Sequence, residues 1–371
     1  MEKGQLIPGL PEDVARECLS RVSFEDLSTV RAVCKQWKHS LDSPLFDKIR
    51  KSAGAARPVV ALAQSEPPPL NSDEEAQRGS TPSPLLYRLS LFEPATGSWS
   101  LAPPIPRRFS GLPLFCQLVA IGRKLVVLGG WNSRTWNTSA EVHIYDLVSQ
   151  TWRHGAPMPG PPRSFFACAA WEERGIVFVA GGHDESKDAL RSALAYDMAT
   201  NAWIHLPDMA RHRDECRGVF AGGVFHVLGG YPTEAQAQFT RSAESFDVAA
   251  WRWGPVEEEK LEKPVCPRTS VVGKDGRLYM CSPKGQVVVL HEEGDRGDRA
   301  WRQIAELPGD VRAALQMVAW EGGMMVLGSG AQRGEQVAHI LEMEGKDQKW
   351  RKVEIPREFS GHVQAACCVE I

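Results

Sequence analysis

The sequence predicts a small all-α module at its N-terminal end, followed by an all-β propeller of six blades closed by strands from the two ends of the chain. Three observations carry this. Apolar residues recur at helical spacing over residues 6–50, and short apolar runs bounded by Gly, Pro and polar turns replace them after Arg57. The second region then repeats itself about every fifty residues, a period that marks stacked supersecondary units.

In the helical region, Val14, Cys18, Leu19 and Val22 fall on one helical face, as do Leu27, Val30 and Cys34. Pro11 suits a first helical turn, Glu12 and Asp13 suit the positive N-terminal end of a helix, and Ser23 with Asp26 forms a variant of the capping box. Trp37, Leu41, Phe46 and Ile49 continue the apolar series. Some 45 residues make a marginal independent core, so these side chains need a partner: the following domain or another protein. Burying each Leu or Val gains about 1.5–3 kcal/mol.

In the second region Gly-Gly pairs begin at 129, 181 and 229, with degenerate versions at Cys281-Ser282 and Gly328-Ser329. Trp99, Trp152, Trp203, Trp253, Trp301 and Trp350 keep the same beat. Seven positions before the first four stand Phe92, Tyr145, Tyr196 and Phe246, and the last three of these are each followed by Asp. Each unit reads as an inner strand, a strand ending in Gly-Gly, a strand ending in aromatic-Asp and a strand bearing Trp. In one unit these are about 114–120, 124–129, 140–146 and 150–154. A lone four-stranded sheet cannot cover both its faces, whereas a ring of such sheets can. Five units are complete between 114 and 353; strands at 58–63, 85–92 and 98–102 with one at 363–369 supply the sixth. The domain reading is therefore 1–50 helical, 51–57 linker and 58–371 propeller, with the Pro-rich acidic stretch 64–84 a disordered loop inside the closing blade.

Composition narrows the function. With 43 Lys+Arg against 46 Asp+Glu the net charge is −3, without the basic footprint of a nucleic-acid binder. No apolar run reaches the roughly 18–20 residues of a membrane span, and Met1-Glu2-Lys3-Gly4-Gln5 leads into no apolar signal core, so cytoplasm and nucleus are the expected compartments. The nine cysteines lack any CxxC spacing and read as small buried hydrophobes rather than zinc ligands. No spacing assembles a metal site, a nucleophile-base pair or a phosphate-cradling loop, so neither catalysis nor a cofactor is expected.

The repeat resembles the kelch motif, and residues 6–50 resemble the F-box: Leu10-Pro11-Glu12-Asp13-Val14, Cys18-Leu19 and Val33-Cys34-Lys35-Gln36-Trp37 follow its pattern. Together they are similar to the plant F-box/kelch-repeat proteins. Gly111-Leu112-Pro113-Leu114-Phe115-Cys116, Arg163-Ser164-Phe165-Phe166 and Ala243-Glu244-Ser245-Phe246-Asp247 resemble one subgroup, associated with turnover of phenylalanine ammonia-lyase and of type-B cytokinin response regulators. The resemblance implies a substrate-recognition subunit of a cullin-RING ubiquitin ligase. It places Leu10, Pro11, Val14, Leu19, Val33 and Trp37 at or beneath the interface with a Skp-type adaptor. A non-degradative scaffold and a kelch-fold oxidase are the rival readings.

Strand alternation puts the loops after Gly-Gly and after Trp on one side of the ring. These are the longer ones, at 131–139, 183–191, 231–241 and 254–267, and a protein target is expected there. Arg108, Arg163, Arg213, Arg268 and Arg312 all precede inner strands. Read functionally they ring the channel mouth and grip acidic groups; read structurally they satisfy carbonyls and acids between blades. Trp131, Trp136, Tyr231 and Phe239 are aromatic anchor candidates on the loops, and His183 joins them as a polar one.

Overall fold

A computed structural model describes residues 5–67, 86–106, 111–293, 298–332, 334–343 and 348–371. Four helices come first: α1 (Glu12–Ser20), α2 (Leu27–Val33), α3 (Lys35–Asp42) and α4 (Pro44–Ser52). Pro11 caps α1 from outside, its extended backbone stopping the helix where its missing N–H costs nothing. Ser23 and Asp26 bond to each other at 2.7 Å, yet α2 begins only at Leu27, so that pair orders a turn and not the expected capping box. The Cys34 thiol caps α3 and the Ser43 hydroxyl caps α4, which has Pro44 in its first turn.

The remaining chain forms six four-stranded antiparallel sheets. The closing blade begins with β1 (Pro58–Ser65), β2 (Tyr87–Glu93) and β3 (Ser98–Leu101). The second holds β4 (Gln117–Ile121), β5 (Lys124–Leu128), β6 (Val142–Asp146) and β7 (Thr151–His154). The third holds β8 (Ala167–Trp171), β9 (Ile176–Ala180), β10 (Ala193–Asp197) and β11 (Ala202–Leu206), and the fourth β12 (Arg217–Ala221), β13 (Val224–Leu228), β14 (Ala243–Asp247) and β15 (Arg252–Trp253). Then follow β16 (Val271–Val272), β17 (Leu278–Ser282), β18 (Gln286–Glu293) and β19 (Asp298–Glu306), and β20 (Ala313–Trp320), β21 (Gly323–Ser329), β22 (Gln336–Glu342) and β23 (Lys349–Val353). Finally β24 (Val363–Glu370) returns to β1, pairing Pro58 with Glu370 through to Gln64 with Val363. The ring is closed by its two ends, as the count of strands predicts.

The tryptophans hold neighbouring blades together. Each indole Nε1 donates to a backbone carbonyl at the exit of the preceding blade: Trp152 to Pro103 at 2.7 Å, Trp203 to Ala156 at 2.8 Å, Trp253 to Pro207 at 2.7 Å. Trp301 reaches Lys260, Trp350 reaches Glu306, and Trp99 closes the circle on Glu354. In four of the six sheets the Trp lies opposite the aromatic seven residues earlier, as Tyr145 with Trp152 and Tyr196 with Trp203, ring centroids 4.9 Å apart in both. In the last two complete blades Leu290 and Leu341 take that place. The Asp that follows the aromatic accepts two backbone N–H groups of the next turn, as Asp197 does from Ala199 and Thr200. Those bonds hold the Asp197 carboxyl below its ordinary value.

The Gly-Gly pairs are demanded twice over. Gly181 and Gly182 both have positive φ, and a Cβ on Gly182 would come 2.3 Å from the Ser164 carbonyl oxygen. The expected loop at 64–84 begins late: Gln64 and Ser65 are buried strand residues, Gln64 bonding the Phe359 and Gly361 carbonyls. The part of that loop from 68 onward lies outside the described residues.

Candidate functional site

The helical module sits on the tight-turn side of the ring. Arg123, in the turn between β4 and β5, donates to the Leu41 and Asp42 carbonyls and pairs with Asp146. Leu27 and Leu41 join Leu147 and Val148 in one apolar cluster, so the module shares its core with the closing and second blades. Arg50, 3% exposed, reaches the carbonyls of Ser20, Val22, Ala55 and Ile371, tying α1 to the end of β24. Burial lowers its pKa; the four carbonyl contacts stand in for the lost water. Because α4 runs to Ser52, the expected linker loses its first two residues.

The six residues expected at the adaptor interface fall into two groups. Leu10 and Pro11 line a groove of about 830 Å³, and Val14 and Val33 stand 40% and 61% exposed on α1 and α2. Leu19, 3% exposed, lies inside the module, and Trp37 packs on its core with its indole N–H on the Leu6 carbonyl. Leu45, 46% exposed on the same groove, is a further apolar residue that the helical pattern did not single out. Its one available signal is its place directly after Pro44, in an exposed first turn.

On the long-loop side the arginines part company. Arg163 and Arg213 are 1% and 2% exposed and do not present guanidinium groups at the mouth. Arg163 donates to the Gly181 and Ser192 carbonyls and to Ser192 Oγ, and burial depresses its pKa to about 10. Arg213 makes the corresponding contacts to Gly229 and Ser242 and pairs with fully buried Glu244 at 3.0 Å. Their backbone carbonyls accept from Gly130 and Gly182 of the preceding blade. Both are thus staples between blades, and the reading of them as grips for an acidic target gives way to the structural one. Arg268 and Arg312 are exposed, and Arg108 lies outside the described residues.

The aromatic candidates do converge. Trp131, Trp136, His183 and Tyr231 line one cavity of about 490 Å³ between the loops of the second, third and fourth blades. Phe115 and Phe165 join them, their rings stacked at 4.7 Å, and Asp214 and Glu215 supply the acids. His183 Nδ1 lies 2.9 Å from both Asp214 carboxylate oxygens, while Tyr231 donates its hydroxyl to Glu215 at 2.8 Å. Burial, and the Glu215 carboxylate after it, push the Tyr231 phenol well above its ordinary pKa. Phe239 stays behind the wall, edge-on to Tyr231 at 5.2 Å. Phe115, Phe165 and Glu215, which were not among the site residues expected from the sequence, share one signal: each stands two residues ahead of an inner strand. Among the described residues no group of three or more His, Cys, Asp or Glu is placed to hold a metal, and no helix is long and apolar enough to cross a membrane.

Comparison with known proteins agrees with this division. A family model for the F-box domain matches residues 7–49, and one for the KLHDC2/KLHL20/DRC7 Kelch-repeats domain matches residues 115–292. The F-box/kelch-repeat protein At1g15670 of Arabidopsis thaliana is 42% identical over 370 residues, covering 99% of this chain and 100% of that protein. At1g80440 of the same plant is 40% identical with the same coverage, and SKIP20 is 31% identical over 96% of this chain and 95% of its own length. The solved structure of YjhT overlays 72% of this chain and 90% of its own at a TM-score of 0.53; at 15% identity it supports the fold alone. With helices on one face of the ring, an aromatic cavity on the other and end-to-end similarity to these plant proteins, the chain belongs to the plant F-box/kelch-repeat family.

Proposed function

We propose that this chain is the substrate-recognition subunit of an SCF-type ubiquitin ligase, holding a Skp-type adaptor through its helices and a protein target through its long-loop face. The observation that carries the reading is the placement of the two surfaces. Exposed Val14, Val33 and Leu45 belong to helices seated on the tight turns, while the cavity opens among loops on the other side. A target held there is joined through a rigid ring to the cullin-RING assembly behind the adaptor. Its lysines gain effective concentration near a charged ubiquitin-conjugating enzyme, and this chain performs no covalent step itself. Phenylalanine ammonia-lyase and type-B cytokinin response regulators are the targets that the subgroup motifs favour, and cytoplasm and nucleus are the compartments.

Co-purification with the adaptor tests this. Wild type is expected to retain it, and Leu10→Ala/Pro11→Ala and Val14→Asp/Val33→Asp to lose it. The second pair alters only exposed positions, so its propeller melting temperature should stay within a few degrees of wild type. A wild-type chain that retains no adaptor sinks the ligase reading in favour of a scaffold propeller.

A further inference from the structure

Phe115, Phe165 and Glu215 occupy the same place in three successive blades, and all three have left-handed backbone, with φ of 55°, 54° and 47°. That conformation costs a non-glycine residue about 1–2 kcal/mol, and glycine would remove the cost. Three such residues in register, all on the wall of one cavity, mark a surface whose side chains are worth the strain.

The chemistry of that wall is one-sided. Phe115 and Phe165 are stacked, Phe165 lies 5.3 Å from the His183 ring and Trp131 5.9 Å from it, and Trp136 stands 63% exposed beside them. Aromatic faces carry negative potential and attract a planar cation. Asp214 and Glu215 add two carboxylates, against Lys187 alone among basic side chains on the wall. The guanidinium groups of Arg163 and Arg213, which could have reversed that balance, are turned into the blades. The Asp214 carboxylate can only accept, so the His183 Nδ1 beside it carries the proton in the neutral ring and Nε2 is left an acceptor. Nε2 is itself sealed from solvent, so Glu215 is the acceptor that the wall offers to a ligand in the cavity.

We infer that this cavity takes an arginine side chain of the target protein, its guanidinium laid against the aromatic wall and its N–H groups directed to Glu215. Guanidinium answers the site better than ammonium because it is planar, weakly hydrated and carries five donors. The inference rests on the proposed role of the long-loop face in target capture. It reverses the polarity expected from the row of arginines: around this part of the mouth the preferred partner is basic.

The test uses the full chain, with its adaptor wherever it retains one, and four blocked peptides, acetyl-Gly-Gly-X-Gly-Gly-amide, with X arginine, citrulline, lysine or glutamate, followed by ligand-observed NMR. Arginine should bind at least about tenfold more tightly than citrulline, its neutral isostere, and ahead of lysine. Glu215→Gln keeps an acceptor for Tyr231 and Trp136→Ala removes an exposed ring, so both should fold; each is expected to weaken arginine binding about three- to tenfold and leave citrulline unchanged. Equal binding of arginine and citrulline, or preference for glutamate, overturns the inference while a retained adaptor leaves the ligase reading standing. Arginine selectivity in a chain that retains no adaptor supports the pocket and overturns the ligase reading instead.

Discussion

The third and fourth blades and the fifth and sixth are built from the same repeat, yet the same repeat position has different work in each half. In the third and fourth, Arg163 and Arg213 are sealed between blades by carbonyls, serine hydroxyls and, for Arg213, Glu244. In the next two, Arg268 and Arg312 are exposed, and Cys281-Ser282 and Gly328-Ser329 replace the Gly-Gly pairs. A repeat position is therefore a location, and whether its side chain supports the fold or faces solvent depends on partners that lie elsewhere in the repeat. The loop side inherits this difference: aromatics and acids line a cavity where the arginines are buried, and guanidinium groups are exposed where they are not.

The comparison is broken most severely by truncating the two kinds of arginine. Arg213→Ala leaves Glu244 charged, 0% exposed and without its ion-pair partner, and is expected to cost about 3–5 kcal/mol. Arg268→Ala should stay within about 0.5 kcal/mol. Denaturant unfolding of both variants measures the difference, and equal losses would show that the exposed arginine has structural partners of its own.

The Gly-Gly position offers a second contrast. Gly182→Ala forces a Cβ towards the Ser164 carbonyl at positive φ and is expected to destabilise by about 2–4 kcal/mol. Ser282→Ala, at the degenerate pair, removes a buried hydroxyl that has no partner and should be neutral or slightly stabilising. Thermal melts rank the two; a damaging Ser282→Ala would reveal a hydrogen bond that the fold depends on.

The smallest effect concerns His362, on the lead-in to β24, whose Nδ1 lies 3.0 Å from the Tyr87 hydroxyl. Burial, with Arg268 nearby, holds its pKa below the ordinary 6.5. A depressed folded value means that the unfolded chain binds the proton first. The stabilising contribution is present above about pH 6.5 and is lost as pH falls through the folded value. Melting temperature should fall slightly faster below that pH for wild type than for His362→Gln. Identical profiles would assign the acid sensitivity to the carboxylates instead.

Much of this architecture is legible in the sequence because it is written in large, periodic side chains. Six tryptophans at one spacing must repeat one contact, and the surplus strands at either end leave a single closed count. The helical module is equally plain in Leu10-Pro11 and Val33 to Trp37. The fate of the arginines is less plain, since it turns on Ser192 and Ser242, one residue ahead of β10 and β14, and on Glu244 within β14. Those are small polar letters whose burial follows only from the assembled blade. The cavity was half legible: its tryptophans and Tyr231 lie in long loops, whereas Phe115 and Phe165 look like strand residues until their left-handed backbone turns them outward.

The pairing of β24 with β1 also sets a timetable. About three hundred residues separate the two strands in the chain, and a ribosome adding roughly 5–20 residues per second needs tens of seconds between them. Throughout that interval the nascent propeller is an open arc whose β1 edge has no neighbour, the kind of unpaired edge that invites aggregation. The helices emerge first, but part of their underside packs on the second blade and Arg50 waits for Ile371. The arrival of β24 thus completes both modules together, and chaperone demand should be concentrated in that strand's delay.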